Sequence, residues 1–339
     1  MTIPLYNLPI RHDLACIDTT TMRGLEIGPL HAPRIRKDEA QVFYVDHTDA
    51  EGLRQKYAPD HEMKDRLHEI VEVDFVVGEG QELVDVVADA APFDFVMASH
   101  LIEHIPDPVS WLRDIAQLLR PGGILSLIVP DKRYTFDVHR RTTEASDLVD
   151  AHLRRLRQPS FRQVYDFISH EMVGRFEPDA AWAGTADLTD MARPDGLNRD
   201  FAALAVCEAM RHSDEFVDVH CSVFTPDSFL DLFAKLVHLD LVDFEIAHFV
   251  PTEVNDMQFW VSLRLLDPSL SRESKVERQL ASVAPFLPEL PVAPLSPAAV
   301  EPEVAAAITM VVSGTEQRWI EAKRRALERL RGLFGRGHG

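Results

Sequence analysis

Phe93-Asp94-Phe95-Val96-Met97-Ala98-Ser99-His100-Leu101-Ile102-Glu103-His104-Ile105, followed by Leu118-Leu119-Arg120-Pro121-Gly122-Gly123-Ile124-Leu125, is the stretch on which the fold turns. The apolar run at 93–98 reads as a buried strand. Residues 109–119 then carry Val109, Leu112, Ile115, Ala116 and Leu119 at helical spacing. Proline and glycine at 120–123 stop that helix. Residues 124–129 form the next apolar run, ended by Pro130. Strand, helix and strand in succession imply parallel pairing through right-handed crossovers. The same alternation runs upstream, with strands at 23–28, 42–46 and 73–77 and a short helix at 49–57. An open α/β sheet is the expected core.

Beyond Pro130 the pattern changes. Helical stretches at 148–156, 161–168 and 201–210, with a loop rich in Gly, Asp and Pro at 182–196, read as a helical insertion over about 137–215. Thr225-Pro226-Asp227 then starts a helix, with Thr as N-cap and Pro at the first position. Residues 244–250 and 259–265 are two strands. Their short connection predicts antiparallel pairing at the sheet edge, so the main domain covers 1–267. Six prolines between Pro285 and Pro302 mark 268–302 as an extended Pro-rich linker. The remaining 303–339 read as a basic amphipathic helix, with Trp319, Leu327, Leu330 and Phe334 on one face. Its last 22 residues hold seven Lys/Arg and two Glu. That suits an anionic membrane surface or a partner protein, and equally a solvated tail.

Composition bounds the function. The 339 residues carry 35 Lys+Arg and 55 Asp+Glu, a net charge of −20, with 46% hydrophobic and 27% charged residues. Wholesale disorder and coiled coil do not fit these values. A broad nucleic-acid surface needs clustered cations that the acidic body lacks. Cys16, Cys207 and Cys221 are too scattered for a disulfide framework or a thiolate metal site. With no signal-like pattern in residues 1–11 and no apolar run near 18 residues, a reducing cytoplasm is the expected location.

Acids and glycines end the early strands. Glu26 and Gly28 close the first, Asp46 the second, and Glu79-Gly80 follow the third. A glycine at a strand-end turn lets a ligand approach the backbone. Nucleotide-like ligands bind beyond the carboxyl ends of such strands, and an acid at Asp46 can accept both hydroxyls of a ribose. The three-glycine fingerprint for a pyrophosphate is missing, which disfavours a redox dinucleotide.

In this order, Leu25-Glu26-Ile27-Gly28, Tyr44-Val45-Asp46, the 93–105 run and the 118–125 run resemble the class I S-adenosylmethionine-dependent methyltransferases, in a small-molecule branch like type 11. The resemblance covers about residues 23–130, and the 225–265 helix and strand pair is similar to the family's closing elements. It implies a Rossmann-like seven-stranded sheet with only the last strand antiparallel. It implies that Glu26 and Gly28 lie beside the methionine part of S-adenosylmethionine, that Asp46 holds the ribose, and that Glu79 and Gly80 flank the adenine. Ser99 and His100 would line the floor where cofactor and acceptor meet. One departure is that Leu30 and Ala32 replace the later glycines of the first turn.

The expected reaction is in-line methyl transfer to a small-molecule acceptor, with positioning supplying much of the rate. A hydroxyl acceptor also needs a base near neutral pKa. His100 is the first candidate and His104 the second, although Glu103-His104 also reads as a pair tying the loop to the next helix. Lys132, Arg133, Tyr134 and His220 are candidates for the acceptor pocket. Lys132 and Arg133 read equally as a solvated charge run, and His220 as a satisfied core histidine. The run 130–137 is similar to that of methyltransferases found with bacterial surface-sugar enzymes, which points to a saccharide or glycolipid. No metal is assigned. Two competing readings stand beside this one: a zinc metallopeptidase through H-x-x-E-H at 100–104, and a catalytically inactive binding protein that keeps the fold.

Overall fold

The computed structural model describes residues 11–60, 63–172, 178–186, 198–213 and 215–287. The elements run β1 (Arg23–Ile27), β2 (Gln41–Asp46), α1 (Ala50–Tyr57), β3 (Phe75–Val76), α2 (Leu83–Val86), β4 (Phe93–Ser99), α3 (Pro108–Leu118) and β5 (Leu119–Pro130). They continue with α4 (Ala145–Arg154), α5 (Phe161–His170), α6 (Pro178–Trp182), α7 (Arg199–Met210), α8 (Pro226–His238), β6 (Phe244–Val250), β7 (Gln258–Leu265) and α9 (Arg272–Val283).

The strands form one seven-stranded sheet in the order β3-β2-β1-β4-β5-β7-β6. All neighbours pair in parallel except β7, which is antiparallel to both β5 and β6. This is the Rossmann-like α/β sheet expected from the strand–helix alternation. Period-2 side-chain placement divides each central strand between two apolar layers. Val96, Leu125, Leu127, Phe259 and Val261 share one layer with Val109 and Ile115 of α3 and with α8. Phe95, Met97 and Ile124 share the other with Ile35 and Tyr44.

Asp94 explains the acid that leads the fourth strand. Its carboxylate accepts the Arg23 backbone N–H at 2.7 Å and pairs with Arg120, so it fastens the starts of β1 and β5 together. The helix-stop signal at 120–123 lies inside β5. The pairing with β4 jumps from Phe93↔Leu119 to Phe95↔Ile124, so the Pro-Gly-Gly segment bulges out of the ladder. Gly122 takes φ +80° there.

The helical insertion follows β5, as its patterns indicate, and is bolted down by one buried guanidinium. Arg140 donates to Asp137 Oδ1 at 2.8 Å, to Asp166 Oδ2 of α5 at 2.8 and 3.0 Å, and to the His220 carbonyl at 2.9 Å. Thr225 caps α8 by accepting the Ser228 N–H, as the Thr-Pro pair predicts. The 268–302 segment needs correction as a linker. Its first part is α9, whose Gln279 amide donates to the carbonyls of Val242 and Phe244 and whose Leu280 and Val283 enter the core. Polar and charged residues outnumber apolar ones on this helix, so its register as a packed element does not stand out against the prolines that follow. Residues 288–302 of the expected linker, the 303–339 helix and most of the 182–196 loop lie outside the described residues. Among the described residues no helix is long and apolar enough to cross a membrane.

Gly24 has no room for a side chain: a Cβ there would sit 2.1 Å from the fully buried Phe95 ring. Gly24→Ala should lower unfolding stability by about 1–3 kcal/mol through overpacking, read as a fall in the urea midpoint with an unchanged slope.

Candidate active site

The carboxyl ends of β1, β2 and β4 meet along one edge. Ile27 pairs with Val45 on one side and Ala98 on the other, and the Gly28 N–H donates to the Val45 carbonyl at 2.9 Å. Gly28, Asp46 and Ser99 therefore lie at adjacent strand ends. Glu79 and Gly80 follow β3, both exposed. Beside them a cavity of about 280 Å³ is bounded by Gly80, Gln81, Glu82, Asp85 and Val86.

Gly28 takes φ +67° and Gly80 φ +76°, and a Cβ at either would meet nothing within 4 Å. Both leave open space for a ligand to approach the backbone. Leu30 also takes the left-handed conformation, at φ +48°. The turn holds a leucine in a conformation that favours glycine, at a cost of about 1–2 kcal/mol.

Glu26 turns inward. Its side chain is 2% exposed and accepts the backbone N–H groups of Arg34 at 2.6 Å and Ile35 at 3.0 Å. It thus clamps the loop after Gly28 onto the end of β1. Burial pushes its carboxyl up to about 7, against those two N–H groups and the Arg34 charge. Asp46 accepts the backbone N–H of His47 at 2.7 Å and contacts the His47 ring at 2.6 Å.

His100 sits one residue past β4 with φ +49°, strained for a non-glycine residue. Its Nε2 lies 2.7 Å from the Gln258 amide oxygen at the start of β7, so Nε2 is the protonated nitrogen if this contact is a hydrogen bond. Its Nδ1 is 3.7 Å from Glu103. The H-x-x-E-H run is therefore not the helical motif of a peptidase. It crosses a strand end and a single 3-10 turn (Ile102–His104), and Pro108 opens the next helix. His100 and His104 face different partners: His104 Nδ1 is 2.8 Å from Asp218.

His104 and His220 come together, their rings in edge contact with centroids 4.6 Å apart. His220 is buried against Phe136 and Phe167, with Nδ1 2.5 Å from Asp137. It is thus a buried histidine with a partner of its own, and its ring borders His104. Burial disfavours the charged form of His104, but the Asp218 hydrogen bond and the Glu103 charge outweigh it and raise its pKa. That same hydrogen bond pulls Asp218 down to about 2.

The three residues after Asp131 are engaged within the chain. Lys132 Nζ donates to the Val138 carbonyl at 2.8 Å, and burial lowers its pKa. Arg133 forms a bidentate pair with buried Asp131. Tyr134 stacks on Trp182 at 4.1 Å between centroids and 5° between planes. Both cations thus hold partners within the chain, and the Arg133 side chain stays half exposed. Burial pushes the Cys221 thiol up to about 12, so it is no thiolate nucleophile.

Sequence reasoning missed Asp137, Asp218 and Gln258. Each is distant in sequence from the histidine it contacts, and no spacing rule links them.

Residues 10–171 match a family model described as a methyltransferase domain. Those residues form a class I S-adenosylmethionine-dependent methyltransferase domain. Curated relatives include the ubiquinone biosynthesis O-methyltransferases of Xanthomonas oryzae pv. oryzae (strain PXO99A), 34% identical, and Xanthomonas axonopodis pv. citri (strain 306), 40% identical. Each match spans 134 residues, 37% of this chain and 51% of the relative. The chain thus spans about half the length of the curated relatives it matches. A solved S-adenosylmethionine-dependent methyltransferase from Mesorhizobium loti is 15% identical, with a TM-score of 0.33 over 74% of this chain and 95% of that one. One from Methanosarcina mazei is also 15% identical, with a TM-score of 0.31 over 72% and 92%. S-adenosylmethionine is the cofactor of the methyltransferase domain. The open backbone at Gly28 and the acid one strand away at Asp46 suit it.

The buried Glu26 generates a pH prediction. Its folded-state pKa, about 7, lies above the ordinary 4.5, so its contribution to stability is full below pH 4.5 and is lost as pH rises through 7. The loss is about 3 kcal/mol. Glu26→Gln should be less stable than the wild type at pH 4.5, because one loop N–H loses its acceptor. That gap should narrow as pH rises to 7.5, measured by urea midpoints across the range.

Proposed function

We propose that this chain transfers a methyl group to a hydroxyl oxygen of a small, uncharged acceptor. The observation that carries the reading is the meeting of Gly28, Asp46, Ser99 and His100 along one carboxyl edge, within a domain of methyltransferase type. S-adenosylmethionine supplies the methyl group on a sulfonium. On this reading Gly28 leaves its backbone open to the methionine part and Asp46 accepts the ribose hydroxyls. Glu79 and Gly80 border the adenine, and Ser99 lines the floor. Glu26 acts at one remove, by holding the loop over Gly28. His100 takes the acceptor's proton, and Gln258 fixes its ring.

Two observations support the acceptor class. Curated relatives over this segment are O-methyltransferases. Lys132 and Arg133 already hold partners within the chain, which favours a neutral acceptor over an anionic one. A saccharide or glycolipid hydroxyl, expected from the 130–137 run, falls in this class. Tyr134, stacked on Trp182, offers it an aromatic border. The inactive-scaffold alternative is separated by cofactor binding alone.

Isothermal titration should show S-adenosylmethionine binding at one per chain. Asp46→Ala should weaken it about 10–150-fold, the worth of hydrogen bonds to a charged group. Absence of binding to the wild type sinks the enzymatic reading. With a panel of neutral hydroxyl acceptors, His100→Ala should lower kcat about 100-fold or more with cofactor affinity retained.

A further inference from the structure

Glu103 is the least explained group in the molecule. It is 1% exposed, and neither carboxylate oxygen has a hydrogen-bond partner among the described residues. An ionised carboxylate in that state costs several kcal/mol unless a cation or an equivalent set of donors meets it. Two histidines do meet it. One ligand atom each from Glu103, His104 and His220 lie within 4.8 Å of one another.

The backbone holds this cluster in place. The Glu103 carbonyl accepts the N–H groups of both Cys221, at 2.6 Å, and Ser222, at 3.0 Å. Those bonds bring the chain returning from the insertion against the turn after β4. His220 is thereby delivered beside His104 from 116 residues away in sequence.

The orientation of the rings is the second, independent observation. Each histidine directs Nδ1 at a carboxylate, His104 at Asp218 and His220 at Asp137. An imidazole that donates Nδ1–H to a carboxylate keeps Nε2 as a lone-pair donor, which is the arrangement around metal-bound histidines. Among the described residues, neither Nε2 is hydrogen-bonded.

We propose that Glu103, His104 and His220 bind one divalent transition-metal ion of the zinc type. Two imidazoles and a carboxylate form a His₂Glu ligand set, with the fourth position left for a water or substrate oxygen. Magnesium and calcium are disfavoured, because they take oxygen ligands. Ligand atoms around a tetrahedral zinc lie about 3.3 Å apart, so the cluster, within 4.8 Å, needs to close by about 1.5 Å at most. The ion neutralises the buried carboxylate. Because Glu103 also lies 3.7 Å from His100, the open position adjoins the end of β4. An acceptor hydroxyl bound there would be acidified. This last role rests on the methyl-transfer reading, whereas the metal site itself does not.

The test uses the untagged full chain, stripped with a chelator and titrated with Co²⁺, whose visible absorption reports nitrogen and oxygen ligation, followed by displacement with Zn²⁺. One ion per chain with a visible band is the expected result. Glu103→Gln and His220→Asn should weaken binding at least 10-fold. Asp218→Asn should weaken it about 10–100-fold, as for other outer-sphere partners. Asp218 is half exposed, so this variant keeps the test open should the buried substitutions unfold the chain, which circular dichroism checks. Absence of a band, or equal affinity in the wild type, Glu103→Gln and Asp218→Asn, overturns the proposal. Calorimetry with S-adenosylmethionine on the same stripped protein reports separately on the methyltransferase reading.

Discussion

Asp137 is the point from which the upper half of the site hangs. One oxygen takes Arg140 and the other takes His220, and all three side chains are buried. A buried guanidinium must have its donors met and a buried carboxylate its charge balanced. Arg140 satisfies both needs and extends to Asp166 of α5 and the His220 backbone. The insertion, the chain leaving β5 and the chain re-entering before α8 therefore share one polar knot. Removing Arg140 leaves the Asp137 carboxylate without its cation in the interior, so the knot ties the insertion to the sheet edge.

The lower half obeys a different constraint. Along β1, β2 and β4 the site is built from backbone geometry: left-handed turns at Gly28 and Leu30, an inward acid at Glu26 that ties down the loop, and a strained His100 at the end of β4. Parallel pairing places these ends side by side without side-chain recognition. The rigid floor comes from the sheet, and the histidine and acid cluster above it joins the turn after β4 to the chain returning from the insertion. Chemistry at the junction draws on both, as expected where variable segments are mounted on a fixed scaffold.

Legibility in sequence followed the range of the interactions. Strands β1, β2, β4, β6 and β7 and helices α3 and α8 stand out because their apolar periods are local. Gly28 and Asp46 stand out because strand-end positions in an open α/β sheet have a general meaning. The bulge at 120–123 is invisible, since Pro-Gly-Gly signals a stop with equal force whether the chain turns or loops out of a ladder. Helix α9 is masked by its polar surface and the prolines after it. The roles of Lys132 and Arg133 were open because charge alone does not say whether its partner is solvent, ligand or a buried Asp131.

The sequence by itself determined the sheet type, the residues at its carboxyl edge and, through the family resemblance, seven strands with the last one antiparallel, because each of these depends on neighbours within about one supersecondary unit. Only the tertiary structure decided which histidine meets which acid. His104 with Asp218, His220 with Asp137, and both with Glu103 are contacts over roughly 80 to 120 residues, apart from the adjacent pair 103–104. No periodicity encodes them. They exist because a buried polar group must be satisfied by whatever the folded chain brings within reach.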